Sequence, residues 1–403
     1  MLPNSAKPKR NRKVSRKGDY FVFSNFKTGD KGLLMVVAGL LIAGLVVIYS
    51  STVVHSQNVF NDPYRFVVLQ LGWIIISLFG FFFFYNFNYD HVRRLSYVFM
   101  GLTVFFLFIL SISGILPCDM SNVFMPCINE ANRWFILNPS PLPQLPIIGE
   151  LGFQPSEFAK LSLILFLSAN IPILIKSRKT PFVFYIIATG LVSLLVLLQP
   201  NMSTAVTLFL IGSTIYFCSG ASLKPAFLMV PLGLVLAIVF ILTSPYRRER
   251  LMTFVQGYGT GDDLSSGYQI KQVSIALGNG GLLGVGFGQS KQKYYLPEVS
   301  SDSIFAIIGE EFGFIGSIAF LSAYIFLLYR GFKIALEQDD DARRLLCVGV
   351  TTWLGVQLLI HVSANSSLIP YTGVPIPLVS YGGSSMLFSL MGLGILAGLS
   401  KRS

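Results

Sequence analysis

The sequence predicts an all-α membrane protein with about ten transmembrane helices and large extracytoplasmic loops. Hydrophobic residues make up 53% of the 403 residues and charged residues only 12%, and the mean hydropathy is +0.65. These values lie far from those of ordinary soluble domains. A helix needs about 20 apolar residues to cross the hydrocarbon core, and apolar runs of this kind recur along the chain. Basic residues flank the runs, which supports the same fold class.

The first 31 residues form a basic tail ahead of the first apolar run. Its densest cluster consists of Lys7, Lys9, Arg10, Arg12, Lys13, Arg16 and Lys17. We predict that this tail lies in the cytoplasm on anionic lipid, with docking of a partner protein as the alternative. The net charge of +11 does not indicate nucleic-acid binding. Lys and Arg cluster at the ends of apolar runs and do not form a basic surface interleaved with aromatic residues.

A single polytopic membrane domain is predicted for residues 32–400. Its ten apolar runs are Gly32–Tyr49, Phe66–Tyr85, Leu95–Leu116, Phe158–Ile175, Pro181–Leu198, Thr204–Phe217, Ala226–Leu242, Ile304–Tyr329, Leu345–Ile360 and Met386–Leu399. An even number of spans places both termini on one side. Basic residues such as Arg93 and Arg94 fall on alternate connections, and these connections are therefore predicted to be cytoplasmic. We expect a multi-pass protein of the cytoplasmic (inner) membrane.

Two connections on the opposite side are long, and a third outward segment is shorter but unusual in composition. Residues 117–154 and 243–301 are predicted extracytoplasmic loops, and loops of such length are usually functional. The loop at 243–301 is rich in Lys and Arg; long loops largely escape the positive-inside rule, and this charge suggests an anionic ligand. Residues 363–385, rich in Pro, Gly and Ser, are expected to dip back as irregular backbone protected by protein. The glycine-rich stretch at 278–288 lacks the strand–loop–helix context of a nucleotide site and is interpreted as a flexible outward loop.

The four cysteines do not form a disulfide scaffold, and none has metal-ligand spacing. Cys118 and Cys127 both fall in the first long loop, where an oxidising compartment would allow a disulfide bond between them. Cys218 and Cys347 are expected to be buried free thiols. The three histidines, His55, His91 and His361, are scattered and indicate neither a metal site nor a catalytic triad.

Charges in or beside membrane helices are costly, so each is a functional candidate. Glu157 and Lys160 are three residues apart at the start of a helix and share one face. They are either a structural ion pair or a phosphate contact by Lys160 that Glu157 holds in place. Arg133 and Trp134 are either ordinary interface anchors or a pair whose guanidinium reaches lipid headgroups.

Two further candidates lie on the predicted outward side. Tyr246, Arg247 and Arg250 follow a helix end, where Arg is suited to bidentate phosphate binding, although snorkelling is the alternative. Asp302 opens the eighth apolar run. A carboxylate there is either a helix N-cap or, where water is partly excluded, a base that takes a proton from a hydroxyl group.

Specific motifs run through the chain. They are Arg133-Trp134, Gln154–Lys160 (QPSEFAK), Gly267–Gln269, Tyr295–Glu298 (YLPE) with Asp302, Ile304–Glu311 (IFAIIGEE) and Pro377–Ser385 (PLVSYGGSS). Together they resemble the SEDS family (shape, elongation, division and sporulation) of membrane glycosyltransferases over nearly all of the chain after the tail. The residues at 289–293 and 307–309 look more like the division branch, FtsW, than the elongation branch, RodA.

The resemblance implies a polymerase that joins lipid II units, with Asp302 as the acidic residue required for catalysis. Sugar transfer needs a base, and Asp302 would deprotonate the acceptor hydroxyl in an inverting transfer that releases polyprenyl pyrophosphate. No dedicated set of metal ligands is recognisable in the sequence. Binding of a divalent cation, Mg²⁺ or Mn²⁺, together with the pyrophosphate stays an open alternative. The predicted substrate-binding residues are Arg133, Trp134, Glu157, Lys160, Tyr246, Arg247, Arg250, Gln272, Glu298, Glu311, Ser384 and Ser385.

The family further implies partners and a location. The implied partners are a class B penicillin-binding protein transpeptidase, other divisome membrane proteins and membrane lipids. The implied location is the division septum. The alternatives are a lipid II flippase, a RodA-like elongation polymerase and a division scaffold; no internal repeat of the kind transporters often carry is visible. The chain departs from the family pattern at three places: Ser300 and Ser301 replace His and Thr, Asn201 replaces Asp, and His361-Val362-Ser363 replaces Asn-Ile-Gly.

Overall fold

The fold is a helical bundle whose helices correspond closely to the apolar runs. A computed structural model describes residues 29–114, 123–128, 131–145, 147–222 and 266–401, with isolated positions 227, 248, 252 and 254. The helices within them are α1 Lys31–Phe60, α2 Arg65–Tyr85, α3 Val92–Ser113, α4 Pro155–Lys176, α5 Pro181–Leu198, α6 Met202–Cys218, α7 Ser266–Gly280, α8 Ile304–Leu336, α9 Asp341–Asn365 and α10 Gly383–Leu399. Nine of them correspond to predicted runs. The run at 226–242 and nearly all of the basic tail lie outside the described residues.

Seven of these helices are long and apolar enough to cross a membrane, namely α1 to α5, α8 and α9. The other two that match apolar runs, α6 and α10, have 17 residues each. The remaining helix, α7, was not predicted, because it lies in the loop at 243–301 that the sequence presented as a connection. The expectation of an all-α, multi-pass membrane protein is confirmed.

Two central helices organise the bundle. Within the apolar windows, 78% of α4 and 72% of α9 is buried, against 22–39% for the other five long helices. On α4, every residue from Pro155 to Pro172 except Phe166 is buried, so its polar and charged side chains also lie inside the bundle. Helix α9 packs against α4, α6, α8 and α10, while α2 packs on α10 and α3 on α4. The peripheral helices leave large apolar side chains exposed, which suits contact with lipid.

Polar contacts join the helices at one end of the bundle, which we call the basic end. Asp30 caps α1 by accepting a hydrogen bond from the Leu33 N–H at 2.8 Å. The Arg330 guanidinium near the end of α8 donates its Nε–H to the same carboxylate at 3.1 Å and makes a second contact through Nη2. Arg343 at the start of α9 bonds Asp90 at 3.0 Å. These contacts join the start of α1 to α8, and the start of α9 to the turn that precedes α3.

The opposite end, which we call the loop end, carries two small antiparallel sheets. Strand β1 Cys127–Ile128 pairs with β2 Ala131–Asn132, and β3 Phe135–Ile136 pairs with β4 Gly152–Phe153, with Phe135 opposite Phe153. Cys127 is disulfide-bonded, and the bridge predicted for it involves Cys118, which lies outside the described residues. Cys218 and Cys347 are free. The prediction that Cys218 is buried is wrong, because it is the exposed last residue of α6.

Helix α8 is broken near the loop end. Gly313 has φ 68° and ψ −165°, a backbone conformation essentially restricted to glycine. The glycine-rich stretch supplies the missing backbone partners of the break. Its hydrogen bonds run from Val285 N to Glu310 O at 2.9 Å, Gly286 N to Glu311 O at 3.1 Å, Phe314 N to Gly281 O at 2.9 Å and Ile315 N to Leu282 O at 3.2 Å. Broken helices are tolerated in membranes when neighbouring protein satisfies their backbone in this way.

The glycine-rich stretch can make these bonds because Gly280 and Gly284 have no side chain where the stretch meets α8. A Cβ atom built on Gly284 would lie 2.2 Å from the Glu311 carbonyl oxygen, and one on Gly280 would lie 2.0 Å from the Gly309 oxygen. The interpretation of this stretch as flexible is therefore wrong, and its outward location stays a prediction. Gly280 and Gly284 are explained by close packing of one backbone on another, which composition alone does not distinguish from flexibility.

Candidate active site

Asp302 lies at the loop end, in the turn that precedes α8. It is half-buried, and its N–H donates to the carbonyl oxygen of Glu298 at 3.0 Å. Glu298 has φ 47°, an uncommon value outside glycine that tightens the turn. Ser303, not Asp302, is the N-cap residue of α8, and its side chain makes no capping hydrogen bond. Asp302 therefore does not occupy the N-cap position that the alternative reading of the sequence gave it.

The segment after α9 holds the whole turn around Asp302. Ser300, Ser301 and Ser303 each have a partner in this segment, and Asp302 has one in Asn365, the last residue of α9. The contacts are Tyr381 N to Ser300 O at 2.9 Å, Ser380 Oγ to Ser301 O at 2.8 Å, Asn365 Nδ2 to Asp302 O at 3.1 Å and Tyr371 OH with Ser303 Oγ at 2.8 Å. Much of the segment is itself buried; Val379 and Ile376, for example, are at most 1% exposed. The turn that contains Asp302 thus packs against irregular backbone that is itself buried in the protein interior.

Glu157 and Lys160 form the ion pair that their spacing predicted. The Lys160 Nζ lies 2.5 Å from Glu157 Oε1, and the two residues are 1% and 3% exposed. The same ammonium group lies 5.3 Å from the centre of the Trp353 ring on α9, a cation–π contact. The pair therefore joins the two central helices, and these contacts favour the structural reading. A contact between Lys160 and a substrate phosphate stays a prediction.

Arg133 connects the first long loop to the turn between α5 and α6. Its Nε and Nη2 groups donate to the carbonyl oxygens of Gln199 and Pro200 at 3.2 and 2.8 Å. Trp134 covers the backbone of Gly152, where a Cβ atom would lie 3.3 Å from the indole. Asn201, at one of the departures from the family pattern, caps α6 by accepting the Thr204 N–H at 3.2 Å. Asp would serve equally well as a cap.

The carboxylates of Glu310 and Glu311 on α8 contact the residues that follow the glycine-rich stretch and helix α1, respectively. Glu311, 1% exposed, accepts a hydrogen bond from Ser50 Oγ at 2.5 Å. Glu310, the neighbouring carboxylate of the same motif, accepts bonds from the Ser290 hydroxyl and from the Lys291 N–H, the latter at 3.2 Å. Lys293 donates to the carbonyl oxygen of Ser50 at 3.3 Å. These side chains hold the break in α8 in place.

The remaining predicted contacts are dispersed. Ser384 donates to Gly152 O at 2.9 Å and accepts from Gln154 N at 3.1 Å, so its hydroxyl joins α10 to the start of α4. Ser385 is buried, and its hydroxyl has no partner among the described residues. Gln272 is half-buried on α7. Glu298 is exposed beside Asp302 and accepts from Ser301 Oγ at 3.2 Å. The three predicted contacts Tyr246, Arg247 and Arg250 lie outside the described residues.

These features define a class: a multi-pass membrane protein that presents a half-buried carboxylate in a fixed turn at its loop end. Within the described ranges, no three His, Cys, Asp or Glu side chains come together as metal ligands. Comparison with known proteins gives the family. The FtsW/RodA/SpoVE family, described as "Cell cycle protein", matches residues 31–403. The chain belongs to this family, the SEDS family.

Individual relatives agree with the family. The chain is 33% identical over 385 residues to stage V sporulation protein E of Bacillus subtilis, covering 94% of this chain and 98% of the relative. It is 32% identical over 378 residues to the probable peptidoglycan glycosyltransferase FtsW of Legionella pneumophila, covering 91% and 89% of the two chains.

Solved structures share the fold. One chain, from work on structural coordination of polymerization and crosslinking by a peptidoglycan synthase complex, matches with a TM-score of 0.72 and 26% identity over 94% of this chain and 98% of that chain. The rod shape determining protein RodA of Thermus thermophilus matches with a TM-score of 0.65 and 25% identity, with the same coverage.

Proposed function

We propose that this protein is a peptidoglycan glycosyltransferase that polymerises lipid II, with Asp302 as the general base. Relatives named peptidoglycan glycosyltransferase FtsW support the activity, since they match over about nine-tenths of the chain. The position of Asp302 carries the assignment of the base. Its carboxylate is half-buried at the end of the bundle proposed to face outward, in a turn that backbone bonds hold.

The proposed reaction is a single displacement at the anomeric carbon of the donor sugar. Asp302 takes the proton from the acceptor sugar hydroxyl as that oxygen attacks the anomeric carbon of the lipid-linked donor. The bond from the anomeric carbon to the pyrophosphate oxygen breaks, and polyprenyl pyrophosphate leaves. The configuration at the anomeric carbon is inverted. Basic groups near the leaving group would stabilise its charge. Arg133, at the loop end, and Arg247 and Arg250 are the proposed contacts, because guanidinium binds phosphate in a bidentate manner.

A lipid II transporter is the second candidate. The break in α8 at Gly313 favours it, because transporters often build their sites from discontinuous helices. A polymerase and a transporter would both need an interior that is fixed by buried polar contacts. They differ in where they place reactive groups, and Asp302 lies at the loop end, away from the middle of the bundle. The polymerisation assay described below separates the two.

We further propose that both termini are cytoplasmic and that the protein acts at the division septum with a class B penicillin-binding protein. The basic residues at one end of the bundle support the orientation. The relative described as part of a peptidoglycan synthase complex supports a transpeptidase partner. Relatives carry names from both division and sporulation, so a sporulation septum fits the same proposal.

The test is polymerisation of lipid II by the purified protein, alone and with its cognate penicillin-binding protein carrying an inactivated transpeptidase site. We expect glycan polymer on a gel from the unmodified protein. In Asp302→Asn the rate should fall about 10²- to 10⁴-fold, the usual contribution of a general base. Glu150→Gln is the matched control, because Glu150 is an exposed carboxylate of the first long loop. It should keep normal activity.

Two outcomes would overturn the proposal. Normal polymer from a well-expressed Asp302→Asn protein would remove Asp302 as the base. Absence of polymer under both conditions, with lipid II moving across vesicle membranes instead, would replace the polymerase by a transporter.

A further inference from the structure

Asn365, the last residue of α9, contacts Asp302 directly. It is fully buried, and its amide Nδ2 donates to the carbonyl oxygen of Asp302 at 3.1 Å and to that of His361 at 3.0 Å. Helix α9 is one of the two most buried long helices among the described residues. The amide therefore ties the backbone of Asp302 to a rigid part of the bundle, although the two residues are 63 positions apart in the sequence.

His361 makes a second tie one turn earlier on the same helix. Residues four apart lie on one face of a helix, so His361 and Asn365 point the same way. The His361 ring is fully buried, and its Nδ1 lies 2.7 Å from the carbonyl oxygen of Val374. Val374 is 3% exposed. This contact holds the backbone beside Gly373 against α9, at the place where the chain departs from the family pattern.

Gly373 is the third element, because the Asp302 carboxylate lies against its backbone. A Cβ atom built on Gly373 would be 2.9 Å from Asp302 Oδ2. That distance is shorter than ordinary contact between a methyl group and an oxygen, so any side chain here would displace the carboxylate. Glycine at position 373 thus leaves open the space that the Asp302 carboxylate occupies.

We propose that His361, Asn365 and Gly373 are positioning residues for Asp302. Asn365 fixes the backbone of Asp302, and His361 fixes Gly373, against which the carboxylate rests. The inference depends on the proposed role of Asp302 as the base. A base must lie within hydrogen-bond reach of the hydroxyl that it deprotonates, and a displacement of about 1 Å can reduce a rate about 10²-fold. The three residues would act on the rate of the chemical step and leave substrate binding unchanged.

The first experiment is Gly373→Ala in the lipid II polymerisation assay. We expect kcat to fall about 10- to 100-fold, with KM changed less than about twofold, because the added methyl group displaces the carboxylate. Gly278→Ala is the matched control, since a Cβ atom there meets nothing within 4 Å. It should keep both constants. A purely structural role for Gly373 would lower the yield of folded protein and leave kcat per folded molecule unchanged.

The second experiment needs no enzymatic activity. Hydrogen–deuterium exchange of the peptide that covers residues 298–306 should become at least about tenfold faster in Asn365→Leu, because the variant loses the bond to Asp302. Ser366→Ala is the control, since Ser366 is the exposed neighbouring residue. If Asn365→Leu does not fold, Asn365→Ser replaces it; its hydroxyl can bond to the His361 carbonyl oxygen but is too short to keep both bonds.

The outcomes separate the two proposals. Unchanged kcat in Gly373→Ala and unchanged exchange in the Asn365 variant would overturn the positioning role, while loss of activity in Asp302→Asn would leave the proposed function standing. Normal polymerisation by Asp302→Asn would instead overturn the proposed function. In that case the exchange experiment still decides whether Asn365 holds the turn.

Discussion

At the scale of single residues, the protein places charges in two different environments. Asp302 is half-buried at the loop end, where it can meet a substrate, whereas Glu157 and Lys160 are buried together between α4 and α9. Burying two charges costs solvation energy that their attraction repays only in good geometry. Removing one partner leaves the other charge buried and uncompensated, so the pair is sensitive to single substitutions.

We therefore expect Lys160→Met to reduce the free energy of unfolding by about 3–5 kcal/mol. The double variant Glu157→Gln with Lys160→Met should be more stable than Lys160→Met alone, because neither charge is then left without a partner. Thermal unfolding in detergent would measure both. Lys176→Met, at the exposed end of the same helix, is the control and should change stability by less than about 0.5 kcal/mol.

The same variants address the role of Lys160 in binding. Strictly additive losses in the double variant would contradict a coupled ion pair. A double variant that is stable but does not polymerise lipid II would favour a phosphate contact over the structural role.

At the scale of secondary-structure elements, the broken helix α8 depends on the glycine-rich stretch. Four backbone groups on the two sides of Gly313 find partners between Gly281 and Gly286. In a membrane protein such groups cannot rely on water, so the stretch has to approach the helix closely. Glycine permits this approach at Gly280, Gly284 and Gly313, where a Cβ atom would collide with backbone atoms.

Substitution of these glycines should therefore be costly. In Gly313→Ala the new Cβ atom would lie 2.3 Å from Gly284 N, in a backbone region that alanine avoids. We expect a loss of at least about 1–3 kcal/mol, measured as a lower unfolding temperature and a lower yield in the membrane. Gly101→Ala on α3 is the control, because a Cβ atom there meets nothing. Equal stability of the two variants would contradict the described break.

At the scale of the whole molecule, the two ends of the bundle differ in the kinds of contact that they contain. The basic end contains the ion pairs of Asp30 with Arg330 and of Asp90 with Arg343. The loop end contains Asp302, the small sheets and the disulfide-bonded Cys127. A disulfide is expected in an oxidising compartment, which agrees with an outward loop end.

Cysteine labelling tests this orientation. In spheroplasts, a membrane-impermeant maleimide should label Glu150→Cys and should not label Asp339→Cys until the membrane is broken. Glu150 is exposed at the loop end and Asp339 is exposed between α8 and α9. Cys218 is exposed, so Cys218→Ser is the background for both variants. Labelling of Asp339→Cys in intact spheroplasts would reverse the proposed topology.

Most of the fold could be predicted, because a transmembrane helix depends on a local property of about 20 consecutive residues. The candidate site was predicted less completely. Asp302 and the Glu157–Lys160 pair were identified from charge beside apolar runs, which is also a local signal. Asn365 and Gly373 were missed, because their contacts with Asp302 join residues that are distant in the sequence, and because their residue types are common in loops and at helix ends.

The membrane setting, nine of the described helices and the family follow from the sequence, since hydropathy and motif residues can be read without knowing which segments meet. The close packing of Gly280 and Gly284 on α8, the exposure of Cys218 and the identity of Ser303 as the N-cap residue of α8 are visible only in the folded chain. The same holds for the contact between the segment after α9 and the turn that contains Asp302. These properties depend on distances between backbone segments, and such distances arise only when the helices pack.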